Sequence, residues 1–254
     1  MTLLLLGGTS EGKQLANSLH KLGIRLIYSI AGLVRTPVLE CEVAIGGFSQ
    51  FGGLDDFIKD RNISAILDVT HPYAQRMSHQ AVISANNMGI PCWRLHRPPW
   101  QVETGDDWHM FKSWKTLLLA IRDKNSVFFS AGQLPEYVVD VLNQYANDGQ
   151  KQLLRTAVSS TVSLPGNMKW IKGIGPFKQQ AEMDLLISEE VDCLVSKNSG
   201  GSSTQQKIIA ARELGLPVYM LQRPVLEPSS KEFNEIKSCE AFVSHWFNNK
   251  GHLC

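Results

Sequence analysis

Four leucines run straight into glycines and hydroxyls at Leu3-Leu4-Leu5-Leu6-Gly7-Gly8-Thr9-Ser10-Glu11-Gly12. Glycine at the end of a buried strand lets the backbone approach a phosphate, and Thr9 or Ser10 can cap the helix that follows. The unpaired N–H groups and positive end of that helix favour an anion. The spacing is not GxGxxG, so the dinucleotide fingerprint is met only in part. A plain strand-to-helix turn would account for the same residues without a ligand. The place of the loop in the first βα unit favours the ligand, because ligands gather at the carboxyl ends of parallel strands. The expected cofactor-binding residues here are Gly7, Gly8, Thr9, Ser10 and Glu11.

A site for NAD carries an acid about 20 residues further on, where it holds the ribose hydroxyls. The corresponding stretch is Tyr28-Ser29-Ile30-Ala31-Gly32, with a base at Arg35 and no acid before Glu40. A hydroxyl with a guanidinium suits a 2′-phosphate better than a diol. NADPH is therefore the expected cofactor, with Ser29, Ala31, Gly32 and Arg35 beside it.

The second cluster is Asp68-Val69-Thr70-His71-Pro72-Tyr73-Ala74 at the end of a strand. Asp68 and Thr70 are assigned to the cofactor. His71 titrates near neutrality and can bond a carboxylate or relay a proton, so it is assigned to substrate and, with Tyr73, to catalysis. The bland alternatives are a loop histidine bonded to backbone beside Pro72 and a half-buried packing tyrosine.

The third is Ser196-Lys197-Asn198-Ser199-Gly200-Gly201-Ser202-Ser203-Thr204, again strand to glycine loop to helix. Lysine, amide, hydroxyls and glycines before a helix make a second anion cradle. Lys197, Asn198, Ser199, Gly200, Gly201 and Ser202 are the expected substrate contacts. Ser130 and Gly132, in Ser130-Ala131-Gly132-Gln133, form a weaker candidate of the same kind.

The elements that must position these loops follow an alternating rhythm of apolar and amphipathic runs, the pattern of a parallel α/β sheet. At roughly 150 residues per domain, 254 residues make two modest domains. In the first half, strands are expected at 3–6, 24–30, 42–45, 65–69 and 92–95, with helices at 10–22, 54–61 and 75–88. In the second half, strands are expected at 127–130, 153–157, 169–171, 193–196 and 218–221, with helices at 178–189 and 203–214 among others. Arg97-Pro98-Pro99-Trp100 and the polar stretch Glu103 to Asp107 mark a hinge, because paired prolines stop a strand and stiffen a connection. The division is thus 1–97 for an NADP-binding domain and 98–254 for a substrate-binding α/β domain with a C-terminal helix.

One internal similarity supports this division. Gly89-Ile90-Pro91-Cys92-Trp93-Arg94-Leu95-His96-Arg97-Pro98 lines up with Gly215-Leu216-Pro217-Val218-Tyr219-Met220-Leu221-Gln222-Arg223-Pro224. Upstream, Ile66 to Ala74 aligns with Cys193 to Gly201. Ordinary helix-to-strand turn chemistry explains the Gly and first Pro; no turn rule requires the shared Arg-Pro.

Composition excludes several classes. A hydrophobic fraction of 43% rules out a disordered chain, and a net charge of +1 offers no global field for nucleic acid or an anionic membrane. The longest apolar runs fall far short of the roughly 18 residues that span a bilayer, and Met1 leads into a strand-like run without a basic leader. Cys41, Cys92, Cys193, Cys239 and Cys254 form no CxxC pair and read as thiols of a reducing cytoplasm. Cys92 and His96 sit on one strand at a spacing too long for one ion, so no metal site is expected. Ile236, Val243 and Phe247 form a helical stripe, read as core or a dimer seam. Arg94, Arg97 and Arg223 are either structural ion-pair partners or receivers of substrate carboxylates.

At these motifs the chain resembles the precorrin-6A reductase family, cobalt-precorrin-6A reductases included. The residues that carry the resemblance are Gly7-Gly8-Thr9-Ser10-Glu11-Gly12, Asp68-Val69-Thr70-His71-Pro72-Tyr73-Ala74, Gly175-Pro176-Phe177, Lys197-Asn198-Ser199-Gly200-Gly201 and Ala210-Ala211-Arg212-Glu213-Leu214-Gly215. The pattern covers nearly the whole chain up to about Pro228. The resemblance implies two Rossmann-like domains whose parallel sheets face each other across a cleft. It also implies NADPH-dependent reduction of one double bond of a tetrapyrrole macrocycle in cobalamin biosynthesis. A ring with many acetates and propionates needs local donors in a near-neutral protein, as at Lys197 to Ser202. The expected molecule is cytoplasmic, a monomer or weak homodimer, with no nucleic acid or membrane partner. The rival readings are another NADP-dependent reductase of a polyanionic small molecule and a non-catalytic NADP-sensing module.

Overall fold

A computed structural model describes residues 1–32 and 37–250 of the chain. Along it run β1 (Thr2–Leu6), α1 (Ser10–Lys21), β2 (Leu26–Ile30), β3 (Glu42–Ile45), α2 (Leu54–Asp60), β4 (Ile63–Asp68), α3 (Gln75–Met88) and β5 (Cys92–Leu95). Then follow β6 (Trp108–Phe111), α4 (Trp114–Ile121), β7 (Ser126–Ser130), α5 (Glu136–Asn147), β8 (Lys151–Thr156), β9 (Met168–Lys172), α6 (Gln179–Ser188), β10 (Cys193–Lys197), α7 (Gln206–Glu213) and β11 (Val218–Leu221). The last two are β12 (Lys231–Phe233) and α8 (Ile236–Lys250). Among the described residues, no helix is long and apolar enough to cross a membrane.

The strands form two six-stranded sheets, ordered β12-β5-β4-β1-β2-β3 and β6-β11-β10-β7-β8-β9, and every pairing is parallel. Helices cover both faces of a parallel sheet, so its central strands read as unbroken apolar runs. All five residues of β1 are buried. The two copies of the internal similarity end their helices alike. Gly89 (φ 64°) and Gly215 (φ 63°) adopt the left-handed turn that closes α3 and α7. Pro91 and Pro217 then accept hydrogen bonds from Ile66 and Leu194, at 2.9 and 3.0 Å.

The expected domain boundary needs correction. The chain divides into Met1–Pro98 plus everything from Pro224 onward, and Pro99–Arg223. The first sheet takes its outermost strand from beyond the expected border: β12 follows β11 yet pairs with β5, whereas β6 pairs with β11 inside the second domain. The C-terminal helix therefore belongs to the first domain. Apolar burial drives the return. Cys239, Val243 and Phe247 of α8 share one core with Leu3, Leu5, Leu15 and Trp93. Phe242 and Trp246 meet the Trp93 ring edge-on, at 5.3 and 5.0 Å between centroids. The stripe is core.

Candidate ligand sites at the strand ends

In the first domain the glycine loop is shaped by a tyrosine. A Cβ on Gly7 would lie 2.1 Å from the Tyr28 ring, so only glycine fits. Gly8 has φ +108°, and its N–H donates to the Tyr28 hydroxyl at 2.9 Å. Burial raises the Tyr28 pKa, opposed by that hydrogen bond. Thr9 is the N-cap of α1: its hydroxyl accepts from Gly12 N–H at 3.1 Å and donates to the Val69 carbonyl at 2.8 Å. That second bond ties the glycine loop to the loop after β4. Glu11 accepts from Ser10 Oγ and from Arg97 Nη1, at 2.9 and 2.8 Å. The first-turn amides of α1 lack intrahelical acceptors, which leaves an anion cradle at the carboxyl end of β1. A pocket of about 430 Å³ opens beside it, lined by Glu11, Gln14, Leu95, Arg97, Ile236 and Lys237. Ser29 is buried at the end of β2, while Ala31 and Gly32 are exposed. Arg35 lies outside the described residues.

Asp68 has a structural role of its own. It is fully buried and both of its oxygens are engaged: Oδ1 accepts from Thr70 N–H (3.0 Å) and Oγ1 (2.7 Å), and Oδ2 from Arg94 Nε (3.2 Å). The carboxylate orders the loop, and Thr70, also buried, is held by it. Arg94 donates further to the Glu227 carbonyl and the Glu232 carboxylate, at 2.8 and 2.9 Å. It is a structural ion-pair partner binding β4, β5 and the β12 segment together. His71 and Tyr73 are half-buried neighbours, their rings 5.7 Å apart. Tyr73 N–H donates to His71 Nδ1 at 3.3 Å, so a neutral His71 carries its proton on Nε2.

In the second domain Lys197 ends β10, and the loop after it is heavily tied down. Asn198 and Ser199 are buried. The Asn198 amide accepts from Trp100 N–H (2.8 Å) and donates to the Trp100 carbonyl (3.1 Å). Arg223 donates to the carbonyls of Asn198 and Ser199, at 2.8 and 3.0 Å. Asn198 and Arg223 thus shape the loop. Gly200 (φ +69°) and Gly201 lead into a 3-10 turn at Ser202–Thr204. Gly175 passes so close that a Cβ there would meet the Ser203 carbonyl oxygen at 2.7 Å. Burial lowers the Lys197 pKa.

Three residues missed by sequence reasoning complete this end of the sheet. Arg155 of β8 makes two bonds to Glu182 of α6, at 2.5 and 2.7 Å, and a third to Ser130 Oγ at 3.2 Å. Its guanidinium lies 3.9 Å from the Phe177 ring centroid. Lys207 of α7 reaches Ser130 from the other side. The signal was present: Lys207 shares a helix face with Ala210 and Ala211, at the i, i+3 and i+4 spacing of a core stripe. Ser130 is thus gripped by Arg155 and Lys207, while Gly132 (φ +73°) leads onward.

The two cradles differ in kind: backbone amides in the first domain, buried cations in the second. One suits a diphosphate and the other carboxylates. Among the described residues no cluster of His, Cys, Asp or Glu gathers as metal ligands.

The chain is similar over nearly its whole length to known proteins. The precorrin-6A reductase of Rhodococcus erythropolis is 33% identical over 245 residues, covering 95% of this chain and 96% of that protein. The precorrin-6A reductase of a Sinorhizobium species is 34% identical over 254 residues, covering 96% and 93%. The solved structure of a CobK precorrin-6A reductase superposes with a TM-score of 0.83 at 31% identity, covering 99% of this chain and 97% of that one. The family model described as precorrin-6x reductase CbiJ/CobK matches residues 2–244. With sequence and architecture matched over nearly the whole length, this chain belongs to the precorrin-6x reductase CbiJ/CobK family.

Proposed function

We propose that this protein reduces one double bond of the precorrin-6A macrocycle, or of its cobalt form, with NADPH in cobalamin biosynthesis. The observation that carries the reading is the family match over residues 2–244, together with a first-domain cradle that only glycine can form. The residues present fit a dinucleotide: the open first turn of α1 faces outward beyond Gly7, where a Cβ would strike Tyr28.

When bound, NADPH supplies a hydride. The first-turn amides of α1 hold its diphosphate, with Gly8 pinned by Tyr28 and Thr9 by Val69. Ser29, Ala31 and Gly32 lie at the carboxyl end of β2, where the 2′-phosphate side is expected, and the sequence assigns Arg35 to the same group. In the second domain Lys197 and the loop through Ser202 receive the ring's carboxylates, oriented by Asn198 and Arg223. Orientation of two bound reactants is the protein's main contribution to rate. The reduction adds a hydride to one ring carbon and a proton to its neighbour. The proton comes from solvent or from a nearby side chain, either His71 in its imidazolium form or Tyr73 beside it.

The test is an anaerobic assay with NADPH and each ring in turn, following NADPH absorbance and product mass. NADPH oxidation with a gain of two hydrogens establishes the reductase, and the preferred ring identifies the branch. NADPH binding without reduction of either ring rejects it, and no NADPH binding rejects the first-domain cradle.

A further inference from the structure

The carboxyl end of the second sheet buries two cations, Arg155 and Lys207, around the single carboxylate of Glu182. Lys207 is 4% exposed. Its Nζ donates to the Ser130 carbonyl at 2.6 Å and to Ser130 Oγ at 3.1 Å. The groups facing it come from every element around it: Ser130 from β7, Arg155 from β8, Glu182 from α6 and Lys197 from β10, with the Trp100 ring 5.8 Å from Nζ. Glu182 is committed to Arg155 in a two-bond ion pair. Lys207 is thus left with the two Ser130 oxygens and no carboxylate bonded to it among the described residues.

Such a cluster resists a third full charge. Burial above all, then Arg155 and Lys197 working against Glu182, hold the Lys207 pKa down to about 7. A neutral amine has two N–H donors, matching the two Ser130 acceptors. An ammonium has three. Carboxylates arriving over this strand end would bring the negative charge the cluster lacks and raise that pKa.

We propose that Lys207 is a positioning residue that takes up one proton from solvent when the polycarboxylate ring binds. The ammonium so formed clamps Ser130 and the turn through Gly132 beneath the ring. The inference rests on the reading of the second domain as the ring site. By linkage, a proton gained on binding makes the ring bind more tightly as pH falls.

The wild-type protein is titrated with precorrin-6A by anaerobic calorimetry at pH 8, in two buffers of different ionisation enthalpy. The expected result is uptake approaching one proton per ring, with Kd rising up to about tenfold per pH unit above about 7. Lys207→Arg carries a permanent charge, and Lys207→Met keeps the volume without one. In whichever of them melts cooperatively, the uptake is lost and the slope of Kd with pH flattens. Ring binding to wild type without proton uptake overturns the proposal alone, as does uptake that persists in either folded variant. No ring binding to wild type at any pH overturns the reading beneath it and the proposal together.

Discussion

The two domains carry the same strand order and place opposite demands on charge. In the first sheet the register sets Asp68 of β4 beside Arg94 of β5. In the second the matching pair of β10 and β11 is Ser196 beside Met220. The first domain neutralises its charge inside, between its central strands, and leaves backbone amides at the ligand end. The second has no such central pair and gathers Arg155, Lys197 and Lys207 around the end of β7 instead. One scaffold can thus offer either dipoles or ions at the same topological place. A diphosphate needs close backbone approach, and a ring of carboxylates needs cations.

The largest expected effect tests the central pair. Asp68→Ala strands Arg94 in a buried position with only Glu232 as a charged partner, and should cost about 3–5 kcal/mol in urea unfolding. A loss below about 1 kcal/mol would show that the first domain does not depend on internal neutralisation. Next comes the buried lysine. Its folded pKa of about 7 lies below the 10.5 of an exposed lysine, so between those values the unfolded chain binds the extra proton. Unfolding free energy should therefore rise with pH across that window, by at most about 1.4 kcal/mol per unit. The same curve measured on Lys207→Met should be flatter.

Gly7→Ala drives a methyl into the Tyr28 ring and should weaken NADPH binding by about 10- to 100-fold, from about 1–3 kcal/mol of overpacking. Gly132→Ala is the control across domains: nothing lies within 4 Å of its Cβ, so only the strain of φ +73° is felt, and NADPH affinity should hold. Lys197→Ala should raise the KM for the ring about tenfold by removing a charge-assisted contact, and leave the KM for NADPH within about twofold. Equal changes in both would erase the division of labour. Smallest is Tyr28→Phe, which frees the exposed Gly8 N–H to water and should weaken NADPH binding about fivefold.

Much of this was legible in the residues. β1, β4 and β10 are buried runs that stop at glycine or polar residues, and their periodicity declares them. The strands β6 and β12 were not legible. One has four residues with an exposed middle and the other has three, so neither shows the alternation that marks a strand. Their partners lie far along the chain, and no local pattern could reveal the return of β12 to the first sheet or the true home of α8. The glycine loop and the Lys197 loop were readable from composition. What holds them was not, because Tyr28 at the glycine loop and Arg223 at the Lys197 loop, like Arg155 and Lys207 at Ser130, each act through a partner distant in sequence. At His71 the structure shows a ring nitrogen that accepts a backbone N–H beside Pro72, while its part in catalysis belongs to the proposed function.

The return of β12 and α8 to the first domain has a consequence for synthesis. The first domain leaves the ribosome first and is finished last. Its sixth strand and the helix that covers Trp93 are made only after the whole of Pro99–Arg223 has emerged. At about 5–20 residues per second, that wait is on the order of ten seconds. Throughout it the nascent chain presents Trp93 and the apolar face of α1 uncovered, an open invitation to a chaperone. The second domain, which already holds β6, closes ahead of the one that preceded it.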